Sequence, residues 1–137
     1  MAYLIGAVLA LVVGVLASLV GFDRDRAFYP TVMIVIASYY GLFAMIGGSV
    51  PSLMVESAVM AAFLGLSIAG FRSSLWLVVA ALAAHGVFDG VHGRLIANPG
   101  VPPWWPAFCL SYDVVAAAYL AWLLLQSRVR ANVSRFN

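Results

Sequence analysis

Residues 74–96 read SLWLVVAALAAHGVFDGVHGRLI, an apolar run of membrane-spanning length broken by His85, Asp89, His92 and Arg94. A helix needs about 20 predominantly apolar residues to cross a bilayer. This segment qualifies only if its ionisable groups turn away from lipid. Positions i, i+4 and i+7 share one helix face, so His85, Asp89 and His92 form a single polar stripe. Each is followed by glycine (Gly86, Gly90, Gly93), which draws a bare stripe about 100° away. Ionisable residues inside a membrane are costly and mark functional sites by default. The segment therefore sets both the fold class, a transmembrane helix, and the place to look for chemistry. The bare stripe reads first as close helix packing and second as a groove for an acyl or isoprenoid chain.

The rest of the chain repeats the apolar pattern. It is 137 residues long, 65% hydrophobic and only 9% charged, with a mean hydropathy of +1.05. Five helices are predicted, at about 3–22, 27–47, 51–71, 74–96 and 105–126. The expected fold is all-α: one compact, polytopic five-helix bundle without a soluble domain. No basic region precedes the first run, so it reads as a span and not as a cleaved signal peptide. The seven basic residues are all arginine. Without lysine there is no retinal or pyridoxal Schiff base and no phosphate-loop lysine. The sequence pI is about 9.0, yet the arginines form no patch, so nucleic acid is not an expected partner. They encode topology instead. Arg24, Arg26, Arg72, Arg128, Arg130 and Arg135 fall on one side of the predicted membrane and Arg94 on the other. The positive-inside rule then places the amino terminus outside and the carboxyl terminus in the cytoplasm. The expected location is a bacterial cytoplasmic (inner) membrane. The single Cys109 excludes an intramolecular disulfide.

Several segments carry packing or interface signals. Gly6, Ala10, Gly14 and Ser18 form a small-residue stripe suited to close helix contact, and so to a homo-oligomer or a larger membrane complex. Asp23-Arg24-Asp25-Arg26 reads first as a solvated turn whose charges pair with one another and second as a lipid-headgroup contact. Phe28, Tyr29, Trp76 and Trp122 fit an aromatic belt at the cytoplasmic face, and Trp104 and Trp105 one at the outer face. The proline-rich loop from Asn98 to Pro106 is stiff, an anchor or a lid over a pocket. The basic tail after Gln126 suits contact with an anionic leaflet.

Depth brings the ionisable residues together. At 1.5 Å per residue, Glu56 lies about 7 Å below the outer boundary, His92 about 6 Å, Asp89 about 10 Å and Asp113 about 12 Å. His85 is deeper, near the midplane. Cys109 shares the face of Asp113, and Tyr39, Tyr40 and Tyr112 reach the same level. Three carboxylates without an intramembrane lysine demand compensation. Protonated histidines, protonated carboxylates or a bound divalent metal each supply it. Two imidazoles with carboxylates and a nearby thiol suit zinc or iron. Haem is a poor fit, because His85 and His92 stand about 10 Å apart along one helix, too far to ligate one iron from both sides.

These residues resemble a family of small bacterial integral-membrane proteins of unknown function, whose pattern is H-x3-D-x2-H, then N-P and W-P, then C-x3-D. Here the pattern falls on His85/Asp89/His92, Asn98-Pro99, Trp105-Pro106 and Cys109/Asp113, covering residues 80–125. The family implies no reaction. More remotely, the chain is similar to seven-helix membrane hydrolases of the alkaline ceramidase type, which hold zinc with three histidines. This chain departs from them in having two histidines and five predicted spans.

The expected function is a membrane-embedded, metal-dependent enzyme, hydrolase-like, acting on a lipid or other apolar substrate in the outer half of the bilayer. His85, Asp89 and His92 are the expected metal ligands, with Glu56 or Asp113 completing the shell. Glu56 and Asp113 are the expected catalytic carboxylates, the one left outside the shell serving as general acid or base, and Cys109, Tyr39, Tyr40 and Tyr112 stand in second rank. The alternatives are a metal-free acid/base isomerase or cyclase and a non-catalytic small subunit of a membrane complex. A transmembrane ion conduit is disfavoured, since helix 4 offers only Ser73 and Ser74 toward the cytoplasm.

Overall fold

The computed structural model describes residues 1–131 and is a bundle of five helices: α1 (Ala2–Val20), α2 (Phe28–Ile46), α3 (Val50–Arg72), α4 (Trp76–Leu95) and α5 (Trp105–Leu125). Each is long and apolar enough to cross a membrane. Their bounds fall within two residues of the expected ones, because the punctuation is strong. Gly21 ends α1 at φ +90, a left-handed conformation that suits glycine. Ser49 caps α3, its side chain accepting from the backbone N–H of Ser52, and Pro51 occupies the first turn. Arg135 of the topology argument lies outside the described residues.

The interior is an apolar core that includes Met33, Leu75, Leu82, Leu120 and Leu123, with a cluster of ionisable residues buried beside it. Glu56, His85, Asp89, His92 and Asp113 are buried, whereas leucines, valines and isoleucines of α1 and α3 are exposed. Such a surface matches hydrocarbon and not water. Around the bundle, α5 packs between α1 and α4, while α3 packs on α4 and on α2.

The small-residue stripe of α1 is occupied within the chain. Gly6, Ala10 and Gly14 are buried. A side chain at Gly6 would collide with Phe108 and Ser111, and one at Gly14 would reach 2.9 Å from the Tyr119 ring. The stripe, read as suited to close helix contact, seats α1 on α5. The Asp23–Arg26 turn differs from expectation, since its charges do not pair with one another among the described residues. Asp23 is buried and accepts from Ser18 Oγ. Asp25 accepts from the Ala27 backbone N–H at 3.0 Å. Arg26 donates to the carbonyls of Gly70, Phe71, Ser73, Arg130 and Ala131. The exposed ends of α3 and of the segment after α5 outcompete the local carboxylates.

Candidate functional site: a buried histidine–carboxylate network

Helix α4 presents His85, Asp89 and His92 inward as a stripe, each at most 2% exposed. The glycines decide which helix meets them. A Cβ on Gly86 would stand 3.2 Å from the Leu110 carbonyl and 3.3 Å from Asp113 Cβ, and one on Gly90 2.9 Å from Leu110 Cδ1. Two bare positions therefore let α5 close on α4 and deliver Asp113 beside His85. Gly93 meets nothing within 4 Å. At Gly86 and Gly90 the bare stripe serves packing.

The network has two lobes joined by Tyr40. In the first, His85 Nδ1 bonds Asp113 Oδ2 at 2.7 Å and lies 3.4 Å from Asp89 Oδ2. In the second, His92 Nε2 bonds Glu56 Oε1 at 2.7 Å. Tyr40 donates its hydroxyl to Asp89 Oδ1 at 2.7 Å, and its ring stacks on His92 with centroids 3.9 Å apart. Phe63 meets the His85 ring edge-on at 4.7 Å and Phe88 meets His92 at 5.4 Å. These aromatic walls leave the polar atoms in a medium where an uncompensated charge is costly.

The five ionisable residues singled out in the sequence all join this network. Their expected grouping changes. The atoms that can share one ion are those of His85, Asp89 and Asp113, which lie within 4.8 Å of one another. His92 is not in that group. It sits two helical turns from His85, about 10 Å along the axis, and turns to Glu56 while the Tyr40 ring covers its face. Asp113, expected either to complete the shell or to serve as the catalytic carboxylate, takes the third place. Glu56, the other residue expected to complete the shell or act as acid or base, stays outside the group.

Of the second-rank residues, Tyr40 is central. Tyr39, one position and about 100° further round α2, lines an apolar groove of ≈ 350 Å³ with Leu9, Trp105, Phe108 and Tyr112. Tyr112 faces the same groove. Cys109 is buried and free but lies outside the three-residue group.

Asn98 is the member that sequence reasoning missed as a contact. Its Nδ2 donates at 3.0 Å both to Glu56 Oε1 and to the Tyr40 carbonyl. Ser52 Oγ holds the loop by donating to the Ala97 carbonyl at 2.7 Å. The Asn-Pro dipeptide was the available signal; it stood in the family pattern and in a stiff loop, but with no partner named for the Asn98 side chain. The Asn98 loop thereby closes the end of the network.

One oxygen of each carboxylate remains unpartnered. Glu56 Oε2, Asp89 Oδ2 and Asp113 Oδ1 are buried without a hydrogen bond among the described residues. Such orphaned acceptors cost about 1–3 kcal/mol each, more when charged, and call for protons or a cation. Comparison of the chain with family models, curated proteins and solved structures found no match.

Proposed function

We propose that the chain is a membrane-embedded enzyme whose His85, Asp89 and Asp113 hold a divalent metal, zinc or iron, and whose Glu56–His92 pair moves protons for it. The observation that carries this reading is the meeting of one imidazole and two carboxylates from two helices, with a carboxylate oxygen of each helix left unpartnered. Three protein ligands leave a coordination position open, the arrangement of catalytic rather than structural zinc. A metal there polarises a substrate oxygen or lowers the pKa of a bound water. Glu56, bonded to His92 and Asn98, is the carboxylate outside that group and acts as general acid or base.

The substrate class follows from the surroundings. Glu56, His85, Asp89, His92 and Asp113 are at most 2% exposed and sit among membrane-spanning helices, so a lipid or another apolar molecule reaches them more readily than a polar one. Hydrolysis of such a substrate is the reaction proposed. We place the site in the outer half of a bacterial inner membrane, with an outside amino terminus, from the arginine distribution. The test is turnover in liposomes. Protein reconstituted with bacterial lipid extract and zinc or iron(II) releases a hydrolysed lipid, and Glu56→Gln or a chelator abolishes release. Lipid profiles identical to those of empty liposomes under both metals refute it.

A metal-free reading has its own support. Each imidazole already makes a 2.7 Å bond to a carboxylate, His85 to Asp113 and His92 to Glu56. Protonated imidazoles would then balance two of the three carboxylates, and a proton on Asp89 the third. A protonated carboxylic acid in an apolar site protonates an alkene, which is isomerase or cyclase chemistry.

A further inference from the structure

The end of the bundle away from the histidine network carries a second built feature. Arg24, Asp25, Arg26, Phe71, Arg72 and Arg130 line a cavity of ≈ 590 Å³. Four guanidinium groups face one carboxylate, a net of +3. Two of these charges are already committed. Arg26 spends both terminal nitrogens on main-chain carbonyls, including Gly70 at 3.2 Å, Phe71 at 3.0 Å and Ser73 at 3.3 Å. Asp25 is engaged just before α2, accepting from the Ala27 N–H. Arg26 thus straps the end of α3 to the segment after α5, and in doing so brings Arg72 and Arg130 to the same cavity as Arg24. None of these three makes an ion pair among the described residues. Arg128 is engaged elsewhere, its guanidinium 4.8 Å from the centroid of Trp122.

Three exposed guanidinium groups around one cavity match a tetrahedral oxyanion, which arginine binds through paired, charge-assisted bonds. The level of the cavity narrows the source. It lies where α3 ends at Arg72 and just before α2 starts at Phe28, the depth of lipid headgroups. Phe71, 43% exposed, supplies an apolar wall beside the arginines. A free phosphate has no use for that wall, whereas a glycerol backbone and the first carbons of an acyl chain do. We propose that this cavity binds the phosphate of an anionic phospholipid, with Arg24, Arg72 and Arg130 as donors and Phe71 against the apolar part. Basic pockets between transmembrane helices bind anionic headgroups in this way.

The test uses the full chain purified in a neutral detergent and follows thermal unfolding. Phosphatidylglycerol is titrated in, in parallel with phosphatidylcholine of identical chains and with inorganic phosphate alone. Phosphatidylglycerol is expected to raise the melting temperature saturably. Phosphatidylcholine at equal concentration has a much weaker effect. Arg24→Gln/Arg72→Gln/Arg130→Gln weakens the phosphatidylglycerol response about ten-fold or more, given the strength of charge-assisted bonds to phosphate. Arg94→Gln, at the other end of the bundle, leaves the response intact. Arg26 is kept, because its loss unties helix ends. Should the triple variant fail to fold, Arg72→Gln and Arg130→Gln are titrated singly, and each is expected to weaken the response. Equal responses to the two lipids, or variants that respond like the wild type, overturn the proposal. Inorganic phosphate reproducing the whole shift assigns the cavity to a free anion and overturns the lipid source.

Discussion

Replacing Tyr40 with phenylalanine removes one oxygen from the junction of the two lobes and leaves the ring on His92. The hydroxyl makes a 2.7 Å bond to Asp89 Oδ1. Asp89 Oδ2 has no hydrogen-bond partner among the described residues, so the substitution strips the carboxylate of its one donor apart from the 3.4 Å approach of His85. Hydrogen bonds to charged groups contribute about 1.5–3 kcal/mol, and an orphaned buried acceptor adds to the loss. Tyr40 is 2% exposed, and the void left by a hydroxyl is too small for a replacement water. A loss of about 2–3 kcal/mol is therefore expected. Equilibrium unfolding in mixed micelles, followed by tryptophan fluorescence, reads it directly. Tyr39→Phe is the internal control, because its hydroxyl makes no hydrogen bond among the described residues, and it is expected to change stability by less than about 0.5 kcal/mol. Equal effects from the two substitutions would refute the claim that Tyr40 holds Asp89.

Asn98→Ala removes the donor shared by Glu56 and the Tyr40 carbonyl and is expected to cost about 1–3 kcal/mol in the same unfolding measurement. Gly6→Leu, which meets Phe108 and Ser111, is expected to destabilise the monomer by about 1–3 kcal/mol through overpacking, without changing the mass measured by light scattering. The topology is checked by impermeant thiol reagents on intact cells: Pro103→Cys labels, Arg130→Cys does not, and native Cys109 stays silent because it is buried.

The spans were legible because twenty-residue apolar runs and Pro/Gly punctuation leave little freedom. That the five ionisable residues gather at one end of the bundle was legible for a related reason: depth along each helix follows from residue number alone. The pairings were not. Whether His85 meets Asp113 or Glu56 depends on the order of helices around the bundle, and that order is set by packing at Gly6, Gly14, Gly86 and Gly90. Tyr39 and Tyr40 share a depth, and only the rotation of α2 separates the groove-facing residue from the network one. Asn98 escaped because loop conformation carries no periodicity. The Asp23–Arg26 turn was misread because the competing acceptors, carbonyls at the end of α3 and after α5, are distant in sequence.

The central claim is that an ion is shared by His85, Asp89 and Asp113. Elemental analysis of protein purified in mild detergent, with Asp113→Ala and His92→Ala alongside the wild type, tests it most directly. One equivalent of zinc or iron is expected in the wild type, none in Asp113→Ala, and retention in His92→Ala, whose imidazole serves Glu56. Metal lost from His92→Ala but kept by Asp113→Ala would contradict the ligand set. A wild type carrying no metal, with stability indifferent to chelator and to added zinc or iron, would contradict the metal itself.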